Sequence, residues 1–358
     1  MHAPRASNCR WQVWEEVIRI ERQVCSYVHH PLLINLAYAF QNIEFLGLVM
    51  DICDGGDLEA FAIGGPEVLT REQLRFVGLE VLAILVYLHR QTIIYRDLKP
   101  ANLLLDDSGH VRLTDFGTAK MGKEGETTPP DSSEFVGSRP YMAPEIFKLE
   151  DDEHGADQRY TYLCDYFSFG TLLYELAEKA VPFGMEPEFE DVDDEFRTPA
   201  LLDENGHEIP HLFSLLSALL DWEPMSRLGA PPPLADDMDD RDETSSFKET
   251  SSFDSRPGGS FQSRSGGRRG DSLTSTSAER MELGFARLFA DPYWQQPDWE
   301  LIEAKCLPSP LAAYAQRQSA RSATGEQAVK HRNRAHDQVL VEVRPPAPHA
   351  HRSSPPTR

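Results

Sequence analysis

Residues 95–106 read Tyr95-Arg-Asp-Leu-Lys-Pro-Ala-Asn-Leu-Leu-Leu-Asp, and they are followed by Asp115-Phe-Gly and then by Ala143-Pro-Glu. The residue types suit one kind of chemistry. Asp97 can accept or orient a hydroxyl, and Lys99, two residues on, can neutralise charge on a phosphoryl group. Asn102 offers an amide oxygen and Asp115 a carboxylate, both hard ligands suited to Mg²⁺. Phosphoryl transfer asks little else of a protein than metal ligands, charge neutralisation and a group that orients the nucleophile. The short apolar runs Leu103–Leu105 and Val111–Thr114 flank Asp106-Asp107-Ser108-Gly109, a strong hairpin turn signal. The chain is therefore expected to fold back there, so that Asn102 and Asp115 face one pocket.

Outward from this stretch, Val17, Ile20, Val24 and Val28 recur at helical spacing and predict a helix over 13–28. Residues 47–53 form an apolar run before Asp54-Gly-Gly-Asp, which predicts a buried strand ending in a turn. Thr70-Arg-Glu-Gln73 has the capping-box pattern and opens a long helix through Leu74, Val77, Val81, Leu85 and Leu88. Beyond Ala143 the pattern is helical, most clearly over 165–179 and 211–221. A little strand followed by mostly helix predicts an α+β fold.

The chain has 358 residues, enough for a large core without disulfide staples. Its net charge of −23 argues against a nucleic-acid partner held by a basic surface. The acidity belongs to the body: residues 1–230 carry −22, whereas 313–358 carry +5. Five widely spaced cysteines without a CxxC pair fit neither a disulfide framework nor a zinc site, and point to a reducing, cytoplasmic compartment. No apolar run approaches the ~20 residues of a membrane span, and no secretory pattern opens the chain. Residues 231–277 are Pro-, Gly-, Ser- and Asp-rich and nearly lack aliphatics, which predicts a disordered insertion. The segment 313–358 has no Phe or Trp and reads as a disordered basic tail, with a weak potential for peripheral contact with anionic lipid.

Arg-Asp-Leu-Lys-x-x-Asn, Asp-Phe-Gly and Ala-Pro-Glu in this order are far more specific than any one of them alone. On these motifs the chain resembles the eukaryotic protein kinases, and within them the AGC group of serine/threonine kinases. The Tyr-Arg-Asp spelling, the Lys-Pro-Ala-Asn run and Gly109-His-Val-Arg are most similar to the G-protein-coupled receptor kinases. The resemblance covers about residues 13–230 and 283–312. It implies a bilobal α+β fold, with a partial N-lobe in 1–53, a mainly helical C-lobe in 54–230, the insertion 231–277, and the end of the domain with an AGC-like extension in 278–312. It further implies ATP and Mg²⁺ as cofactors, and transfer of the γ-phosphate to Ser or Thr hydroxyls of protein substrates.

Residue by residue, the resemblance makes Asp97 and Lys99 catalytic and Asn102 and Asp115 metal ligands. Glu21 falls where the family's helix Glu pairs with the ATP-binding Lys. Met50 falls at the gatekeeper, Asp51 and Cys53 at the adenine hinge, Asp57 at the ribose acid and Leu104 at the floor of the adenine pocket; Thr114 also belongs to the nucleotide side. Cys25, Leu36, Tyr95 and Phe116 match a hydrophobic spine anchored by Asp165, and Gly117 completes Asp-Phe-Gly. Glu145 and Arg227 match a buried structural pair. Tyr293-Trp294 matches the aromatic AGC segment, and ordinary core packing accounts for it equally.

The sequence also departs from the family. The first lysine is Lys99 and no glycine precedes Gly47, so neither a Gly-rich loop nor an ATP-binding Lys is found and Glu21 has no evident partner. Two readings stay open: an N-terminally truncated kinase, or a pseudokinase acting as a protein-binding scaffold. The joint retention of Asp97, Lys99, Asn102 and Asp115 favours the first, although a chain without that Lys is expected to be nearly inactive. Glu134 stands at the AGC phosphorylation position, where a fixed carboxylate could pair with Arg96 or simply be a solvated loop acid; Ser132 and Ser133 are alternative phosphosites. Ser138 replaces the usual Thr and can still bridge Asp97 and Lys99. Ala101 replaces an acid used by basophilic relatives, and the run 186–195 reads as a solvated acidic face or an attractor of basic substrates.

Overall fold

The structure, a computed structural model, describes residues 6–41, 46–63, 69–150, 158–187, 205–233, 276–324 and 338–343. Helix α1 (Ala6–Tyr27) leads into the antiparallel strands β1 (Leu36–Gln41) and β2 (Leu46–Asp51). Ile18 of α1 packs with Ile34, Leu48 and Met50 in a small apolar cluster of its own. A short helix α2 (Glu59–Ala62) follows the Gly55-Gly56 turn. The long helix α3 (Arg71–Arg90) then opens with the expected capping box, Thr70 accepting from the Gln73 N–H and the Gln73 side chain accepting from the Thr70 N–H.

Leu74, Val77, Val81, Leu85 and Leu88 of α3 are all buried, as their spacing predicts. Two small antiparallel pairs follow: β3 (Ile93–Ile94) pairs with β6 (Lys120–Met121), and β4 (Leu103–Leu105) pairs with β5 (Val111–Leu113). The hairpin turn between β4 and β5 is held by Asp106, whose Oδ1 accepts from the Ser108 N–H at 3.0 Å and the His110 N–H at 3.1 Å, with Gly109 at φ 81°.

After α4 (Pro144–Phe147) comes α5 (Leu163–Glu178), which is buried on every face from Leu163 to Leu173. A helix apolar all round must lie at the centre of the core, and α5 packs between α3 and α6 (Leu212–Leu219). Helices α7 (Ser277–Phe289) and α8 (Trp299–Glu303) close the lobe. Tyr293 and Trp294 between them are core residues: Trp294 is 1% exposed, stacks on Phe169 at 6.2 Å and fills the space beside Gly78, where a Cβ would lie 2.9 Å from its ring. A mid-helix glycine costs about 1 kcal/mol of helix stability, here offset by the indole packing it admits.

The segment read as a disordered tail, 313–358, opens instead with helix α9 (Ala312–Thr324) and contains strand β7 (Gln338–Val343). Without Phe or Trp, the helix carries its apolar stripe on one Tyr and smaller residues, a pattern too weak to mark it in the sequence. Leu311, Tyr314 and Ala315 fall on one buried side, and Tyr314 packs on Phe61 with ring centroids 4.5 Å apart. Strand β7 adds to the free edge of β2 in an antiparallel ladder running from Leu46↔Val343 to Asp51↔Gln338. Residues 234–275 of the insertion and 188–195 of the acidic run lie outside the described residues. Among the described residues, no helix is long and apolar enough to cross a membrane.

Candidate active site

Asp165 in the first turn of α5 sets the geometry of the 95–99 loop. Fully buried, its Oδ2 accepts from the Tyr95 N–H (2.9 Å) and from His89 Nε2–H (2.8 Å), and its Oδ1 from the Arg96 N–H (2.8 Å). Those bonds hold Arg96 at φ 71°, a left-handed conformation that a non-glycine residue adopts only when its surroundings impose it. The next residue, Asp97, is buried against Ser138 and Lys99. Its Oδ1 accepts from the Ser138 hydroxyl and its Oδ2 from Lys99 Nζ, both at 2.8 Å, and Lys99 Nζ also donates to Ser138 Oγ at 2.8 Å. The expected Ser138 bridge is therefore formed.

Asn102 closes the short 3-10 turn Pro100–Asn102. Its Nδ2 donates to the Asp97 carbonyl at 2.9 Å and to Asp97 Oδ2 at 3.2 Å, which leaves Oδ1 as the acceptor of this buried side chain. The Thr114 N–H donates to the Asn102 carbonyl at 3.1 Å, so Thr114 ties the end of β5 to the loop and delivers Asp115 beside it. Asp115 sits at φ 59°, and its exposed carboxylate accepts from the Gly117 N–H at 3.3 Å. No cluster of three or more metal-ligating His, Cys, Asp or Glu exists among the described residues. Two oxygen donors on an open cleft fit Mg²⁺, which keeps several waters and shares its shell with phosphates, and fit poorly a metal that needs an all-protein cage.

Among the residues expected to hold the nucleotide, Met50 and Leu104 share the apolar cluster of Ile18, Ile34 and Leu48. The Asp51 carboxylate serves the fold: its Oδ2 accepts from Asn35 Nδ2 (2.6 Å) and Arg112 Nη2 (2.7 Å). Burial pushes the Cys53 thiol up to about 12, so it stays protonated. Asp57 bridges to Leu104 and caps α2 by accepting from the Ala60 N–H at 3.1 Å. Glu21 is half-buried, and burial together with the charge of Asp115 pushes its carboxyl up to about 7. Among the described residues no lysine or arginine pairs with it. Cys25, Tyr95 and Phe116 lie in the main core with Leu36 packed against it, and Tyr95 meets Phe116 edge to face at 5.6 Å.

The Arg96 side chain, 3% exposed, gathers the segment after Asp-Phe-Gly. It donates to the carbonyl of Thr118 (2.6 Å), to Ser132 Oγ (2.8 Å) and to Glu134 Oε2 (2.6 Å). Lys120 stands 3.8 Å from the other Glu134 oxygen, and the Tyr160 hydroxyl donates to the Glu134 carbonyl at 2.8 Å. Ser132 is buried and exchanges both main-chain hydrogen bonds with Tyr160 at 2.8 Å, so of the two serines only Ser133 is exposed. Gly137 at φ 121° lies where a Cβ would be 2.6 Å from the Arg96 carbonyl, and only glycine fits. Lower in the lobe, Arg227 grips Glu145 through both nitrogens at 2.7 and 3.0 Å. His89, Lys120 and Tyr160 escaped the sequence reading: each is far along the chain from the group it supports, and no local pattern marks it.

A family model for the protein kinase domain matches residues 5–237, and the chain belongs to that family. It is similar to G protein-coupled receptor kinase 2 of Drosophila melanogaster, 42% identical over 176 residues that make up 49% of this chain and 23% of the relative. RAC-beta serine/threonine-protein kinase B of Xenopus laevis is 36% identical over 222 residues, 61% of this chain and 42% of the relative. Ribosomal protein S6 kinase 2 alpha of Gallus gallus is 35% identical over 226 residues, 62% of this chain and 27% of the relative. The chain thus spans less than half the length of each of these curated relatives.

Proposed function

We propose that this chain carries the catalytic lobe of an AGC-type serine/threonine protein kinase. The observation that carries the reading is the joint placement of Asp97, Lys99 and Ser138 within 2.8 Å of one another beside Asn102 and Asp115. Mg²⁺ and ATP, when bound, supply the neutralising charge and the γ-phosphoryl group. Asn102 Oδ1 and the Asp115 carboxylate would hold the metal. Asp97 orients the acceptor hydroxyl of a protein Ser or Thr and takes its proton as the new O–P bond forms and the bond to the ADP leaving group breaks. Lys99 holds its charge beside that oxygen, and Ser138 fixes both side chains for the event.

The test is transfer of labelled phosphate from Mg·ATP to a protein acceptor, with phosphoamino-acid analysis. Slow turnover to phosphoserine and phosphothreonine is expected, and Asp97→Asn should lower that rate by about 10²–10⁴-fold while leaving Mg·ATP affinity unchanged. Phosphotyrosine as the product, or a rate indifferent to Asp97→Asn, would sink the assignment. A chain that binds no Mg·ATP would revive the scaffold reading.

Glu134 takes the part a phosphate would otherwise play, ordering the activation segment through Arg96 without modification. Its carboxyl, opposed by burial, is held below the ordinary range by Arg96. A depressed carboxyl contributes order that is present above its unfolded value and is lost as pH falls through its lower folded value. Hydrogen exchange of residues 118–137 should therefore quicken in Glu134→Ala at neutral pH, and in the native chain only below about pH 4.5, the ordinary Glu value. Equal protection in the two chains at pH 7 would refute the role.

A further inference from the structure

Arg139 directly follows the serine that bridges Asp97 and Lys99, so it borders the place where the acceptor hydroxyl must bind. Its guanidinium lies over two rings at once, 5.5 Å from the centroid of Phe135 and 5.6 Å from that of Phe147, which meet edge to face at 6.1 Å. The rings fix the cation in one orientation, and both the Arg139 side chain (38%) and Phe135 (36%) remain exposed. Two acids of this chain already show what the cation takes. Glu150 accepts from Nη2 at 2.5 Å. Glu186, 79% exposed, only approaches Nε, at 3.8 Å. Nη1 makes no hydrogen bond among the described residues. A planar fork with five donors thus has one carboxylate bound tightly and a second held loosely enough to be exchanged.

We infer that Arg139 is a specificity-determining residue that receives an acidic side chain flanking the substrate's Ser or Thr, in place of Glu186. The inference rests on the kinase reading of the site. Reach supports it: the acceptor oxygen at Asp97 lies beside Ser138, and neighbouring Cα atoms of an extended peptide are about 3.8 Å apart. A residue next to the acceptor therefore comes within reach of the residue next to Ser138.

The experiment uses the full chain and labelled serine peptides that differ only in carrying Asp or Asn on one or the other side of the serine, with binding followed by fluorescence anisotropy. Asp on one side should tighten binding about two- to fivefold over Asn, as befits an exposed pair. That advantage should vanish in Arg139→Gln, shrink at high salt, and grow in Glu186→Gln, which removes the competing carboxylate. Equal binding of Asp and Asn peptides on both sides, or an Asp advantage that survives in Arg139→Gln, would overturn the inference and leave the kinase reading standing. Failure of every peptide to bind would overturn the inference together with the acceptor site on which it rests.

Discussion

Replacing Arg227 by Met should lower the unfolding free energy of the chain by about 3–5 kcal/mol, the cost of breaking a buried ion pair by removing one partner. Arg227 is fully buried, and the loss is larger than that of two hydrogen bonds. Its bidentate grip on Glu145 disappears, the carbonyls of Asp221 (3.0 Å) and Leu163 (2.9 Å) lose their donor, and stacking on Phe167 at 5.2 Å becomes plain van der Waals contact. Glu145 is left as a nearly buried carboxylate without a countercharge. Met matches the volume well enough that packing is a minor part of the loss. Denaturant titration gives the measurement, and the double variant Arg227→Met/Glu145→Gln should recover part of the stability because no charge is then orphaned. A loss below about 1 kcal/mol in the single variant would mean that the pair contributes no more than an exposed one.

Asp165→Ala should cost a similar amount, about 3–5 kcal/mol, by a different route. It strands the N–H groups of Tyr95 and Arg96 and the His89 ring, three buried donors at about 1–3 kcal/mol each. It also releases the backbone that holds Arg96 at φ 71°. Loss of protection should therefore be concentrated in residues 93–102 when hydrogen exchange is followed, and Asp97 should lose its register against Ser138. Uniform loss of protection across the lobe, with the loop no worse than the rest, would show that Asp165 is only a generic core contact.

The elements that were legible in the sequence are those whose signal is local. The α3 capping box and its apolar stripe lie within one helix, and the Asp106–Gly109 turn needs only its own four residues. The proximity of the candidate set was legible for a related reason: Asp97, Lys99, Asn102 and Asp115 are close in sequence and joined by a hairpin that folds them back. The tail was misread because a short helix with one Tyr and small residues has no strong pattern until a partner surface, here Phe61 and Gly56, is supplied.

The sequence by itself determined which groups are present for the proposed chemistry: two oxygen donors suited to a metal, a carboxylate for a hydroxyl, and a lysine two residues beyond it. It also gave Lys99 as the first lysine of these 358 residues. Tertiary structure decided the rest. It brought Glu134 to Arg96 across 38 residues, buried Ser132 while leaving Ser133 exposed, and set Arg139 on its two aromatic rings. It also gave Glu21 an elevated carboxyl beside Asp115. The physical reason is that residue type fixes charge, donors and acceptors, whereas burial and distance fix what those groups are worth, and both come from packing between segments far apart in the chain.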